Sequence, residues 1–250
     1  WVLLTQAYEP PMQPPRRKIS LWRSLALPWL RPRFRGLLAQ SAMWSLAVGF
    51  AADFFNLYMI RDLRMSLLHV SMVNTLGDLT AVLLAPLFGA WADRAGSRKV
   101  LEAGILIKTL LPLAWIGISA EHWHWAFAVT LCNMVNSAMT ICWMRLSLNM
   151  APRENQTAFL SMHQAVMGAF VGIGALAGGF IATLLQGRKL PMVLGVQLAP
   201  LHVLFLISAA LRLASLPMMR LVREPRGAII RQARLGTTAD KGQGADLPGK

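Results

Sequence analysis

Gly89-Ala90-Trp91-Ala92-Asp93-Arg94-Ala95-Gly96-Ser97-Arg98-Lys99 is a dense knot of charge between two long apolar runs. The run before it, 81–92, is almost purely apolar, and the run after it, 100–119, carries only Glu102 and Lys108. Two membrane-length segments are therefore joined by a tight basic turn. Gly96 is placed to take a positive φ where the chain reverses. Asp93 is placed to cap the following helix or to pair with a nearby cation. Arg94, Arg98 and Lys99 hold the turn on the cytoplasmic side, because basic loops resist translocation.

The composition points the same way. Of 250 residues, 55% are hydrophobic and 14% charged, against roughly a quarter charged in a soluble domain. The net charge of +14 would suggest nucleic acid in a soluble protein. Here the cations sit in loops and tails, so orientation and anionic headgroups explain them, and no nucleic-acid partner is expected. Residues 16–35 interleave Arg and Lys with Trp and Leu, which suits a segment in the headgroup layer. The stretch before them, Glu9-Pro10-Pro11-Met12-Gln13-Pro14-Pro15, reads as extended.

Six apolar segments follow, near 37–59, 69–92, 100–119, 125–146, 158–185 and 194–219. At about 1.5 Å per residue each reaches the roughly 30 Å hydrocarbon thickness. The expected architecture is an all-α membrane bundle. Near the span ends, one side carries 17 Lys and Arg; the other has only Arg61, Arg64, Arg188 and Lys189. Both termini are then expected in the cytoplasm, with a tail after 223 that ends in a polar stretch expected to be disordered. On this orientation the sequon Asn155-Gln156-Thr157 is cytoplasmic and unused. Glu121-His122-Trp123-His124-Trp125 reads as an outer interfacial girdle in preference to a metal site. Cys132 and Cys142, ten residues apart in one span, suit neither a disulfide nor zinc. No metal or cofactor is expected.

Ionisable and amide side chains inside spans normally face a bundle interior or a wet cavity. They are unevenly spread. The first segment has Asp53 and Asn56 on one face, the second Asn74 and Asp78, the fourth Asn133, Asn136 and Thr140, and the fifth His163 and Gln164. The third and sixth have one cation each, Lys108 and Arg212. Asp53 and Asp78 are candidates for proton or cation coupling, or for pairing with a structural cation. His163 reads as a buried hydrogen-bonded histidine before a proton relay. Lys108 is expected to pair with an acid or to snorkel. Gly168/Gly172 and Gly174/Gly178 are small-residue pairs that permit close helix packing.

The opening stretch resembles the signature loop of the major facilitator superfamily, G-x-x-x-D-[RK]-x-G-x-[RK]-[RK]. Gly89, Asp93, Arg94, Gly96, Arg98 and Lys99 fall on its positions. Trp91 and Ser97 depart mildly from it. Ala151-Pro152-Arg153-Glu154-Asn155-Gln156-Thr157-Ala158 is similar to a second family loop, P-x-E-x-R-[AGT], with Gln156 where the family has arginine. Arg145 is then a candidate to supply that charge, to Asp93 or Glu154, as part of a cytoplasmic gate. The resemblance is closest to the C-terminal six-helix half of a twelve-helix bundle, built as two inverted three-helix repeats. It implies that segments one, two, four and five face the cavity and that three and six are peripheral. It also implies a secondary transporter moving a small-molecule substrate by alternating access. On that division 1–35 is a linker, 36–222 the membrane half and 223–250 the tail. The partners expected are lipids of the cell (inner) membrane and either a missing N-terminal half or a second copy. Opening on Trp1, the chain reads as a fragment. The alternatives are a complete six-helix protein acting as a dimer, an exporter's membrane domain lacking any Walker sequence, and an intramembrane enzyme using Asp53 and Asp78.

Overall fold

A computed structural model describes residues 21–152, 155–186, 192–193, 196–197 and 199–222. The proline-rich stretch 9–15, Arg153, Glu154 and the tail from 223 lie outside the described residues. The elements, in order, are α1 (Leu21–Leu30), α2 (Pro32–Gly49), α3 (Ala52–Arg61), α4 (Leu67–Ala95), α5 (Ser97–Ile116), α6 (Trp125–Thr130), α7 (Asn136–Met150), α8 (Gln156–Leu185) and α9 (Pro200–Met218). A small antiparallel pair, β1 (Met192–Val193) with β2 (Val196–Gln197), precedes α9. Short 3₁₀ turns occupy Ala120–His122, Leu131–Val135 and Met219–Leu221.

Local chemistry accounts for the boundaries. Pro32 opens α2 at a position where its missing N–H is not needed. Ser66 caps α4, its hydroxyl accepting from the His69 amide. Gly96 ends α4 and starts α5 with φ 88° and ψ 146°, a backbone region essentially closed to residues with a Cβ.

Four of the expected segments differ in detail. The first is broken at Phe50–Ala51 into α2 and α3; the break falls where α8 crosses most closely. The fourth is interrupted by the 3₁₀ turn Leu131–Val135, a tightening that re-aims its side chains. The sixth starts at Pro200 instead of 194. Ala199, extended at φ −80° and ψ 155°, shows the constraint that proline places on its predecessor. The third is the most charged. Among the described residues five helices are long and apolar enough to cross a membrane: Pro32–Arg61 (α2 and α3 together), Leu67–Ala95, Trp125–Met150, Gln156–Leu185 and Pro200–Leu221. α5 has the length, 20 residues, but Arg98, Lys99, Glu102 and Lys108 keep it out of that group.

In the packing, α2 runs along α8, α9 sits against α5 and α2, and α4 packs on Leu131–Val135 and α7. α1 lies on α8 and α2, so it joins the bundle's flank. The α2–α8 crossing is close because it is lined by glycine. A Cβ on Gly49 would strike the Val171 backbone, one on Gly174 the Leu46 and Phe50 backbone, and one on Gly178 the Phe50 carbonyl. Nothing lies within 4 Å of a Cβ on Gly168 or Gly172. Of the two expected small-residue pairs, only Gly174/Gly178 therefore makes a close approach among the described residues; the partner glycine, Gly49, comes from α2.

Two apolar clusters fill the bundle. One, at the signature-loop end, includes Phe34, Leu37, Ala92, Val100, Leu146, Phe159 and Met219. The other, at the opposite end, includes Tyr58, Leu63, Val70, Trp115, Ile118, Leu204 and Phe205. Lys108, Asn133 and Arg212 lie between them in sequence and in space. Outside, Leu79, Val82, Leu83, Leu87, Leu110, Leu176 and Phe180 are all more than half exposed, which in water would be an aggregating surface and in lipid is the expected one.

Candidate functional site

The site forms where buried polar groups from four elements meet. On α5, Lys108 follows Ile105 by one helical turn and is 8% exposed; on α9, Arg212 is 2% exposed. The Arg212 guanidinium donates through Nη1 to the Lys108 carbonyl oxygen and stands 5.6 Å from the Trp44 ring. The Lys108 ammonium donates to Asn133 Oδ1 at 2.6 Å. Asn133 Nδ2 donates in turn to Thr130 Oγ1 at 3.2 Å, and Thr130 Oγ1 to the Val73 carbonyl at 3.3 Å. The 3₁₀ turn places Asn133 toward α5. Gly77 lets α4 come close enough to receive the chain of bonds, since a Cβ there would meet Thr130 and Asn133. From Lys108 onward the bonds run from donor to acceptor toward the α4 backbone.

Beside this chain lies a cavity of about 310 Å³, within the size range of small-molecule sites. Its walls include Trp44, Phe55, Trp115, Met139 and Trp143, with Lys108 and Arg212 among them. Its rim carries the exposed Asn56, Asn74, Asn136 and Thr140. Asn74 Nδ2 donates to Asn56 Oδ1 at 3.1 Å, joining α3 to α4 across the rim.

The structure brings together four of the sequence candidates, Asn56, Asn74, Asn133 and Asn136, and leaves four elsewhere. Asp53, Asp78 and Gln164 are exposed and do not line the cavity. His163 is 1% exposed, under α2. Ser41 Oγ bonds both the Leu37 carbonyl and His163 Nε2, each at 2.8 Å. The single hydroxyl proton goes to the carbonyl, so His163 Nε2 carries a proton and donates to Ser41 Oγ. Among the described residues no ionisable group bonds it, and its Nδ1 has no partner. Lys108 neither snorkels nor meets a carboxylate; its partner is an amide. The residues that sequence reasoning passed over are Lys108, Arg212 and the tryptophans 44, 115 and 143. The signal was there, since a mid-span cation is costly wherever it sits. At Lys108 it was read as an acid pair or a snorkelling side chain.

At the signature-loop end, Arg145 Nη1 meets Asp93 Oδ1 at 2.5 Å, tying α7 to the end of α4. Arg98 pairs with Glu102 one turn on at 2.9 Å and reaches the Val222 carbonyl beyond α9 at 3.5 Å. Arg94 and Lys99 are exposed, and a Cβ on Gly89 would meet nothing within 4 Å. These two ion pairs are the ones present among the described residues. Glu154 lies outside them.

At the far end, the Ala199 amide donates to His202 Nδ1, His202 Nε2 donates to Tyr58 Oη, and Tyr58 donates to the Ile118 carbonyl. Asp62, just past α3, lines a second pocket with Tyr58 and His202. Burial raises its carboxyl above the usual carboxylate range, against the opposing fields of Arg61 and His202. Among the described residues no three His, Cys, Asp or Glu side chains converge as metal ligands.

Residues 38–239 match the family model described as Major Facilitator Superfamily. A putative sugar efflux transporter of Deinococcus radiodurans is 28% identical over 159 residues, covering 59% of this chain and 40% of the relative. Multidrug resistance protein MdtG of Proteus mirabilis is 31% identical over 144 residues, covering 55% and 35%. The chain thus spans well under half the length of these two curated relatives.

Proposed function

The chain belongs to the Major Facilitator Superfamily, an integral membrane family, and on that premise we propose that it is a membrane transport protein. It moves a small solute by alternating access, coupled to an ion. The observation that carries this reading is a set of exposed polar side chains on otherwise apolar helices. Asp53, Asn56, Asn74, Asp78, Asn136 and Gln164 are all exposed, and in hydrocarbon each unsatisfied group of this kind costs several kcal/mol. Such a set suits a water-filled passage shared with a partner. The names of the two relatives are consistent with small solutes.

In this reading residues 36–222 form one six-helix half, with α5 as a span, arranged as inverted three-helix repeats. Residues 1–35 are a cytoplasmic linker and 223–250 a cytoplasmic tail, in the cell membrane. The partner is an N-terminal half of the same chain or a second copy. Asp53 and Asp78 take up the coupling ion, and Asp93 with Arg145 latches the cytoplasmic end.

Alternating access is tested by placing a cysteine at Asn136 in a background without Cys132 and Cys142. A membrane-impermeant maleimide is then applied from either side of oriented vesicles. Labelling from both sides, shifted in opposite directions when Arg145→Ala removes the latch, is the expected result. Labelling from one side only, in both backgrounds, overturns the reading. The intact mass of the protein from its own membranes separates the two partners.

A further inference from the structure

We propose that the cavity between α2, α5 and α9 binds the charged head of an organic anion, with Lys108 and Arg212 as its counter-charges and the tryptophans as the wall for its apolar body. The inference deepens the transport reading, because it names the solute class, and rests on it for the step from ligand to substrate.

The first ground is an imbalance of donors. Both cations are more than nine-tenths buried and both line the cavity. An ammonium has three N–H donors, and Lys108 uses one, on Asn133. Arg212 has five N–H donors and uses Nη1 on a backbone carbonyl. Asn133 Oδ1 accepts from Lys108, and its amide donates onward. What the wall offers is unused N–H groups, and the group that complements them is an acceptor without protons of its own, such as a carboxylate or sulfonate.

The second ground is charge. Two cations lie at the middle of a membrane bundle. The ion pairs among the described residues lie at the signature-loop end. Asp78 is exposed and makes no ion pair among the described residues. Like charges held together in a low dielectric are unfavourable unless a counter-charge joins them. A cationic ligand would deepen that penalty and a neutral one would leave it in place.

The third ground is shape. The cavity holds about ten water volumes by the roughly 30 Å³ each takes in the liquid, which is room for one ring and its charged group. Trp44 and Trp143 lie with ring centroids 5.7 Å apart, and Phe55 and Trp115 at 5.8 Å. A small inorganic anion would leave these walls uncovered.

The test is binding to the purified protein in nanodiscs, read by tryptophan fluorescence and by thermal unfolding. The probes are benzoate, benzenesulfonate and hexanoate, with benzamide as the uncharged match and chloride as competitor. At least one organic anion is expected to quench saturably and to raise the unfolding temperature, while benzamide does neither. Lys108→Met and Arg212→Met are each expected to weaken binding tenfold or more, and Lys108→Arg to retain most of it. Ligand-free Lys108→Met is expected to unfold at the same or a higher temperature, since an unmatched buried charge has been removed. Lys108→Gln serves if the methionine variants do not fold. Three results overturn the proposal: no organic anion binds, benzamide binds as well as benzoate, or Lys108→Gln binds benzoate unchanged. Chloride that saturates the site and leaves benzoate no advantage overturns the organic class. Anion binding without flux in proteoliposomes would count against transport and leave the site standing; flux of a neutral or cationic solute without anion binding would do the reverse.

Discussion

Replacing Gly178 by alanine puts a methyl carbon 2.5 Å from the Phe50 carbonyl oxygen and 3.0 Å from the Phe54 ring. Carbon contacts are most favourable at about 3.5–4.0 Å, so α2 and α8 must part by about 1 Å at their crossing. A gap of that size forfeits a quarter to a half of each pair attraction along the seam, and overpacking of this kind generally costs about 1–3 kcal/mol. Alanine returns up to about 1 kcal/mol of helix propensity. The neighbouring glycine isolates the contact. Gly179 lies on the same helix at nearly the same depth, with nothing within 4 Å of an added Cβ, so Gly179→Ala keeps the propensity gain alone. Reversible unfolding in mixed micelles, driven by added SDS, should place Gly178→Ala about 1–3 kcal/mol below Gly179→Ala. That is a difference of roughly five- to 150-fold in the unfolding constant. Equal stability of the two variants, or a larger loss in Gly179→Ala, would refute the assignment of this crossing as the bundle's tight seam.

Three further outcomes are expected. Asp93→Arg or Arg145→Asp alone should shift side-specific cysteine labelling, and the double swap should restore it; the pair is partly exposed, so the effect is about 1 kcal/mol or less. Gly96→Ala should destabilise the protein by about 1–3 kcal/mol in the same unfolding assay, because its φ of 88° and ψ of 146° strain any residue with a Cβ. The Asp62 carboxyl is raised by burial, so the folded state holds its proton more tightly than the unfolded one. Stability is then highest below the unfolded carboxylate range and falls as pH rises through the raised value. Asp62→Asn should flatten that fall and leave the protein more stable at neutral pH, by a small margin because the side chain is only half-buried.

The sequence by itself determined the class and the framework. Low charge with membrane-length apolar runs settles on helices in lipid, because no other open structure satisfies its backbone there. The spacing from Gly89 to Lys99 was legible because a reversal between two spans needs a residue free to take positive φ, and the turn carries Gly96 at that point. Pairing Arg145 with Asp93 was one of two expected contacts and is the one seen among the described residues. Other features needed the fold. The breaks at Phe50–Ala51 and at Leu131–Val135 arise from neighbours in space: the first at a crossing with a helix more than 120 residues away, the second where Asn133 bonds Lys108. The same holds for the glycines. Five on α8 look alike in sequence, and only the side facing α2 decides which of them matter. The pocket was the least legible of all. Its cations stand 104 residues apart on α5 and α9, and periodicity says which residues share one helix's face but not which faces of two helices meet. That juxtaposition, and with it the positive character of the cavity, was decided by tertiary packing alone.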